Sequence, residues 1–459
     1  MLVLDGTIVN IALPAVQRDL GFADADRQWI ITAYALAIGS LLLLGGRIID
    51  TFGRKPTFIA GLIGFAVASA LGGAAGSFTV LVVARALQGA FGAVLAPAAL
   101  SLLSTTFTRP GERGRAFGVF GAVGGTGSAI GLLLGGALTE YASWRWCMYV
   151  NLVFIGIAVV GAVLLLPRQP AGAHTKLDLP GAVTVTVSLS ALVYGFARAE
   201  TAGWSAPVTL GCLGAGAAGL TVFVVIEARA ANPLLPLRLL ADRDRAGSFL
   251  AMFVVNVGMF GLFLFVTYYL QLTLRFRPVA AGLAFLPLVI ALAASTQLLA
   301  PRLLTKAGPR TSVVAGLAIA AAGMAWLARL DVDSTYGADV LPPLIVFGAG
   351  FGIIVPTTMN TATLDVAAHD SGIASAAVNT VRQIGGSVGT ALLSTLAAGA
   401  TAGYLTDRTS TSTTGAQIHG YTTAFWWCAG LLAVAAVPCF VLLRRGVPAE
   451  TDSSTPAVL

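Results

Sequence analysis

Thirteen stretches of this chain are each long and apolar enough to cross a bilayer, and that repetition constrains its fold more than any single residue does. A hydrocarbon core takes about 20 apolar residues per helix. Inside it every backbone N–H and C=O must be bonded within the protein, so spanning structures are helices or closed barrels. The runs are Trp29–Ile49, Pro56–Ala75, Phe78–Leu103, Arg115–Leu138, Met148–Leu166, Leu179–Ala197, Val208–Ala228, Ala246–Leu272, Pro278–Leu299, Thr311–Ala328, Val340–Thr361, Gly372–Ala398 and Thr422–Leu443. Their lengths are those of helices, so the fold class expected is an all-α polytopic membrane protein. The opening segment, Met1 to about Pro14, is apolar but too short to span, and no basic residue precedes Leu2 as a secretory signal would require. We read it as the outer half of a first helix, which makes fourteen.

Composition agrees with this reading. Only 10% of the 459 residues are charged and 57% are hydrophobic, whereas about 25% of a soluble domain is charged. The net charge of +7 does not point to nucleic acid, because the basic residues are scattered between apolar runs rather than gathered on one face. With both termini placed in the cytoplasm, inner connections and tail carry 17 of the 27 Lys and Arg residues and outer connections carry 8. That is the bias expected of cytoplasmic loops. The remaining two, Arg85 and Arg382, lie inside helices. Cys147, Cys212, Cys428 and Cys439 show neither disulfide nor metal spacing, and the three histidines are far apart in sequence, so no cofactor or metal site is expected. The excess of 24 Arg over 3 Lys, with abundant Gly and Ala, suits a bacterium of GC-rich genome.

The chain repeats itself. GRIIDTFGRKPTFIAG (46–61) aligns without a gap on PRLLTKAGPRTSVVAG (301–316), matching Arg47 to Arg302, Gly53 to Gly308 and Gly61 to Gly316. AFGAVLAP (90–97) pairs with GFGIIVP (350–356), and VGGTGSAIG (123–131) with IGGSVGTA (384–391). Repeated bundles are a transporter feature, with the substrate site between them. Two six-helix bundles then occupy residues 1–166 and 246–443, with an inserted pair of helices in 167–245 that fills space between them and a cytoplasmic tail at 444–459.

Charges inside a membrane cost at least ~2.5 kcal/mol each and mark function by default. Asp5, Arg85 and Arg382 qualify. Arg85, Gln88, Gly89 and Gly92 share one helical face. On the thirteenth helix, Arg382, Gly386 and Gly389 share a face beside Asn379, Gln383 and Thr390. Gly121, Gly124, Gly127, Gly131 and Gly135 form a stripe that permits close helix approach. Met252, Asn256, Met259 and Phe263 line one side of the ninth helix, where core packing competes with a substrate-facing role.

These segments resemble the major facilitator superfamily, and within it the fourteen-helix drug:proton antiporter family. LDGTIVNIALP (4–14) is similar to its helix-1 signature, GRIIDTFGRKPTF (46–58) to the loop 2–3 motif, LVVARALQGAFGA (81–93) to the helix-4 motif and GSAIGLLLGG (127–136) to the helix-5 antiporter motif. WRWCMYVN (144–151), NPLLPLRLL (232–240), SGIASAAVNTVRQIGGSVGTA (371–391) and HGYTTAF (419–425) read the same way. The resemblance implies proton coupling through Asp5 and Arg85, a cytoplasmic gate formed by Gly46, Asp50, Gly53, Arg54 and Lys55, and a helix-5 hinge or seal at Gly127, Gly131, Gly135 and Gly136. Gln88, Asn256, Met259, Phe263, Asn379, Arg382 and Gln383 are candidates for a substrate cavity. Leu132 stands where the helix-5 motif commonly has proline, and Thr51 where a basic residue usually follows the gate aspartate.

The implied protein is not an enzyme. It is a monomeric multi-pass exporter of the plasma membrane, driven by protons and carrying amphipathic small molecules such as antibiotics. Helices 9 to 12 hold no embedded Asp or Glu, so neutral, zwitterionic or singly charged cargo is expected rather than dications. An uptake symporter or facilitator of the same fold is the alternative, and a non-transporting receptor or scaffold a distant one, because fold does not set direction or cargo. The family pattern also places the aspartate well inside helix 1, which implies roughly 10 to 20 further residues ahead of Met1.

Overall fold

A computed structural model describes residues 1–23, 26–106, 127, 129–166, 178–230, 233–234, 242–363, 371–407 and 413–446. The helices are α1 (Leu2–Leu20), α2 (Arg27–Phe52), α3 (Arg54–Gly73), α4 (Phe78–Thr106), α5 (Ala129–Tyr141), α6 (Trp146–Leu165), α7 (Leu179–Ala202), α8 (Pro207–Arg229), α9 (Arg243–Tyr268), α10 (Pro278–Ala284), α11 (Leu286–Ala294), α12 (Ala300–Leu327), α13 (Leu341–Thr363), α14 (Ser371–Asp407) and α15 (Thr413–Leu442). Among the described residues ten segments are long and apolar enough to span a membrane. One of these, Pro278–Leu327, runs through two of the spans expected from sequence. Residues 115–126 and 128 of the fifth expected span lie outside the described residues. The chain is an all-helical, multi-pass membrane protein.

Helix ends depart from the apolar boundaries for a physical reason: hydropathy falls at the membrane surface, but helical hydrogen bonding continues into water. α1 passes Pro14 and ends only at Gly21, whose left-handed backbone (φ 66°, ψ 30°) lets its N–H bond the Gln17 carbonyl. α14 continues to Asp407, nine residues past its expected end at Ala398. Sharp breaks occur where glycine permits them. Gly53 adopts φ 86°, ψ 156° between α2 and α3, and Gly308 adopts φ 76°, ψ 173° within α12 just ahead of Pro309. The two glycines matched by the sequence repeat therefore share a backbone conformation open to few other residues.

The repeat extends to packing. α4 packs on α2 and α3, and α13 packs on α11 and α12. A Cβ added at Gly92 of α4 would meet Ile38 of α2, while one at the matched Gly352 of α13 would meet the Leu292 carbonyl of α11. Across the chain's two halves, α2 lies along α14, and α1 touches α9 and α10. α5 faces both ways. Gly131 and Gly135 meet α1 at Leu4 and Ile8, whereas a Cβ at Gly136 would stand 2.6 Å from the Pro278 carbonyl oxygen of α10. α7 packs against both α2 and α14, with Leu36, Val185, Leu189, Phe223 and Ile384 in one apolar cluster, and α8 rests on α7. The pair is not wholly apolar, since Glu227 of α8 is buried. Val153, Ile157, Val160 and Leu164 form an exposed stripe on α6, the surface expected to meet lipid.

Lipid tails are as apolar as leucine, so close backbone approach replaces the hydrophobic effect between such helices. Gly136→Val should accordingly destabilise the protein by about 1–3 kcal/mol through overpacking at the α5–α10 contact. Gly156→Val on α6, where nothing lies within 4 Å of the added carbon, should change stability by no more than about 0.5 kcal/mol. Thermal melting of the detergent-solubilised variants distinguishes the two.

Candidate functional site

Asp5 and Arg85, eighty residues apart, meet in the centre of the first half of the chain. Arg85 Nη1 donates to Asp5 Oδ2 at 2.6 Å, and the two side chains are 1% and 0% exposed. Four further bonds complete the carboxylate and the guanidinium. Asn151 Nδ2 of α6 donates to Asp5 Oδ1 at 2.6 Å, and Gln88 Nε2 donates to the same oxygen at 3.2 Å. Arg85 Nε donates to the Ile30 carbonyl at 3.1 Å, and its Nη1 also donates to Gln88 Oε1 at 2.9 Å. Gln88 Nε2 reaches Ser69 Oγ of α3 at 2.8 Å, and the Arg85 guanidinium lies 4.2 Å from the centre of the Tyr34 ring. The Tyr34 hydroxyl in turn donates to the Leu2 carbonyl at 3.2 Å.

The local sequence explains this convergence. Arg85 and Gln88, three residues apart, project from one face of α4, and Gly89 on that face lets α2 come close, since its absent Cβ would stand 2.5 Å from the Tyr34 carbonyl. α1 is seated by α5: a Cβ at Gly131 would lie 2.9 Å from the Leu4 carbonyl, and one at Gly135 would lie 2.6 Å from the Ile8 carbonyl. Glycine at both positions brings Asp5 within reach of α4 and α6. Every member of the cluster is buried, so its bonds are made in a medium that strengthens them and penalises any that are lost.

The other residues singled out by sequence are distributed as follows. Gln88 belongs to the cluster around Asp5 rather than to an open wall. Asn256 is buried, with Nδ2 donating to the Met252 carbonyl of its own helix at 2.8 Å, and Phe263 packs 5.1 Å from Phe285. Met259 is half-buried against the same core. Asn379, Arg382 and Gln383 stand on α14. A Cβ at Gly39 of α2 would sit 3.1 Å from the Gln383 Cβ, which places this stretch at the seam between the halves. Arg382 is half-buried, in electrostatic reach of the Tyr34 hydroxyl, and no carboxylate lies within 4 Å of it among the described residues.

At the expected gate, Arg54 Nε donates to Ser101 Oγ at 2.7 Å, and Lys55 Nζ donates to the carbonyls of Val163 and Leu166 at 3.0 and 2.5 Å. Lys55 thus closes the carboxyl end of α6, where cations are favoured. Gly53 supplies the turn between α2 and α3, and Gly46 has open space beside it. The Asp50 side chain lies outside the described residues, as do Gly121 and Gly124. Gly127 lies 3.9 Å, through an added Cβ, from Val3. Leu132, in place of proline, is buried with its carbonyl against Gly282 of α10. Sequence reasoning did not single out Asn151, Ser69 or Tyr34; the signal for Asn151 was a lone amide in the apolar run that begins at Met148. Among the described residues no three His, Cys, Asp or Glu side chains are grouped to hold a metal.

Residues 1–390 match the model of the Major Facilitator Superfamily. The puromycin resistance protein pur8 of Streptomyces alboniger is 49% identical, over 100% of this chain and 92% of its own. The cephamycin export protein CmcT of Amycolatopsis lactamdurans is 38% identical over 88% and 84% of the two chains. Among solved structures, an auto-inhibited peptide transporter of the POT family superimposes with a TM-score of 0.66 at 17% identity, covering 99% of this chain and 97% of that one.

Removing one partner of a buried ion pair leaves an uncompensated charge. Arg85→Met should therefore cost about 3–5 kcal/mol. Asp5→Asn/Arg85→Met, with neither charge present, should lose less than Arg85→Met alone, as read in a double-mutant cycle of unfolding in mixed detergent.

Proposed function

The chain belongs to the Major Facilitator Superfamily, and from that premise we propose that it exports amphipathic small molecules, antibiotics among them, in exchange for protons. Support for export comes from the relatives, which are named for resistance to puromycin and for export of cephamycin. The observation that carries the coupling is the buried Asp5–Arg85 pair: it contains the carboxylate of α1, a helix of the first half that also touches α9 and α10 of the second.

A proton arriving at Asp5 neutralises it and ends its charge attraction to Arg85. Arg85 is still held by the Ile30 carbonyl, by Gln88 and by the Tyr34 ring. The change is thus felt on α1, whose tie to α4 is weakened to neutral hydrogen bonds while its glycine contacts with α5 are untouched. Movement of α1 against α9 and α10 links proton binding to the relative position of the two halves. With both termini in the cytoplasm, the polar ties between halves among the described residues lie toward the outside. Gln271 Nε2 donates to the Ile11 carbonyl at 2.9 Å, Val279 N donates to Glu140 Oε2 at 3.1 Å, and Arg277 Nη1 stands 3.7 Å from Glu140 Oε1. This is a form closed to the outside. Outward release of cargo requires these ties to part, and reloading of Asp5 from outside completes the exchange.

Cargo is neutral, zwitterionic or singly charged, since Arg382 at the seam adds positive charge and no embedded carboxylate of helices α9 to α13 offsets it among the described residues.

In everted membrane vesicles, Asp5→Asn should abolish uptake of puromycin driven by a pH gradient while retaining its binding. Gradient-driven uptake at the wild-type rate would sink the assignment. Competition assays should likewise rank singly charged ethidium above dicationic dyes of similar size; a preferred dication would contradict the charge argument.

A further inference from the structure

Within the Asp5 cluster one member has a free hand. Gln88 is committed on both sides of its amide: Oε1 accepts from Arg85, while Nε2 is shared between Asp5 and Ser69. Turning it over would place two acceptors against each other and break the hold on Arg85. Asn151 has no such commitment. Its one side-chain hydrogen bond is the 2.6 Å contact from Nδ2 to Asp5 Oδ1, and its own Oδ1 is buried with no partner. Orphaned buried acceptors are uncommon and call for an explanation. Which end of an amide points inward is set by the hydrogen-bond network rather than by shape.

We infer that Asn151 is a third member of the proton-binding site, a positioning residue that serves Asp5 in both protonation states by turning over its amide. In the ionised state Nδ2 donates to the carboxylate. When a proton binds, it adds to Asp5 Oδ1, giving a carboxylic acid and consuming one negative charge. An N–H facing that new O–H would clash, whereas a half-turn of the Asn151 amide presents Oδ1 as acceptor. The separation of 2.6 Å lies within the O–H···O range. The turn needs no backbone movement, and it uses the acceptor that is otherwise idle. Arg85 stays where it is, so the proton site changes state through Asp5 and Asn151 alone. This rests on the proposed role of Asp5 as the proton acceptor.

The groups that bear on Asp5 are Arg85 from α4, Tyr34 from α2, Cys147 from α6 and the amino group of Met1, with Arg382 of α14 acting on Tyr34. α3 contributes the neutral Ser69, and α5 presents glycines. None of these is altered by changing Asn151. A bond to a charged acceptor outweighs one from a neutral acid. Losing both should raise the proton affinity of Asp5 by about tenfold, a shift of roughly one pH unit to higher pH.

The test is an infrared pH titration of the full chain reconstituted in lipid, following the carboxylic-acid carbonyl band. Asp5→Asn should remove the band, which assigns it. Asn151→Leu should move the midpoint of the band up by about one unit and change its frequency, and Asn151→Gln should restore both at least in part. If Asn151→Leu does not assemble, Asn151→Ser, whose hydroxyl falls short of Asp5, is read in the same way. An unchanged midpoint and frequency, with the band still lost in Asp5→Asn, would overturn the role of Asn151 and leave the coupling proposal standing. A band that persists in Asp5→Asn would overturn both.

Discussion

A single buried ion pair organises the first half of this protein. A carboxylate on α1 cannot remain charged in a hydrocarbon environment without a partner, and neither can a guanidinium on α4. Their contact therefore fixes how both helices are rotated and how deep each sits. Arg85 then needs further acceptors for its five donors. It finds the Ile30 carbonyl, Gln88 and the Tyr34 ring, which brings in α2. Asp5 needs more donors than Arg85 alone supplies and finds them on α4 and α6, while Gln88 carries the network to Ser69 of α3. Five helices are thus held in register by one polar cluster, with no apolar contact having to specify the same thing.

Much of this was legible in the sequence, and what was not follows from what hydropathy measures. A run of apolar residues reports that a helix is in the membrane, and an embedded charge reports that it needs a partner. Asp5 and Arg85 were found in that way, and the fixed spacing of glycines predicted close helix contacts such as Gly131 and Gly135 against α1. The match of Gly53 to Gly308 in sequence was also a match of backbone conformation. Hydropathy does not report which way an uncharged amide faces. Gln88 thus read as a cavity residue although it is buried against Asp5, and Asn151 passed as one polar residue in an apolar run. Asn256, which looked like a polar handle on a soft face, bonds the Met252 carbonyl of its own helix.

The two kinds of contact made by α1 have different consequences. Against α5 it is held by glycines, with backbone lying on backbone; such a surface has little side-chain relief, and one helix can shift along it without unlocking interdigitated groups. Against α4 and α6 it is held by directional bonds to one carboxylate, and these have strict geometry. A helix secured in both ways is rigid only while the directional bonds last. The charge-assisted bonds depend on Asp5 being ionised, and they weaken together when it is neutralised.

Under the proposed coupling, that asymmetry gives a reason for an aspartate here rather than a permanently neutral amide. Asparagine at position 5 could satisfy Gln88 and Asn151 in one orientation, but it would tie α1 to α4 with the same strength at every pH. Two apolar residues would remove the cost of burying charge, and replacing a buried pair in this way is often neutral or stabilising. The persistence of a costly pair in a helix that touches both halves is therefore poorly explained by stability alone. It is well explained if the value of the contact lies in being breakable: a proton supplies the energy to release α1, the glycine face gives it a path, and Arg85 remains anchored to receive the carboxylate when the proton leaves.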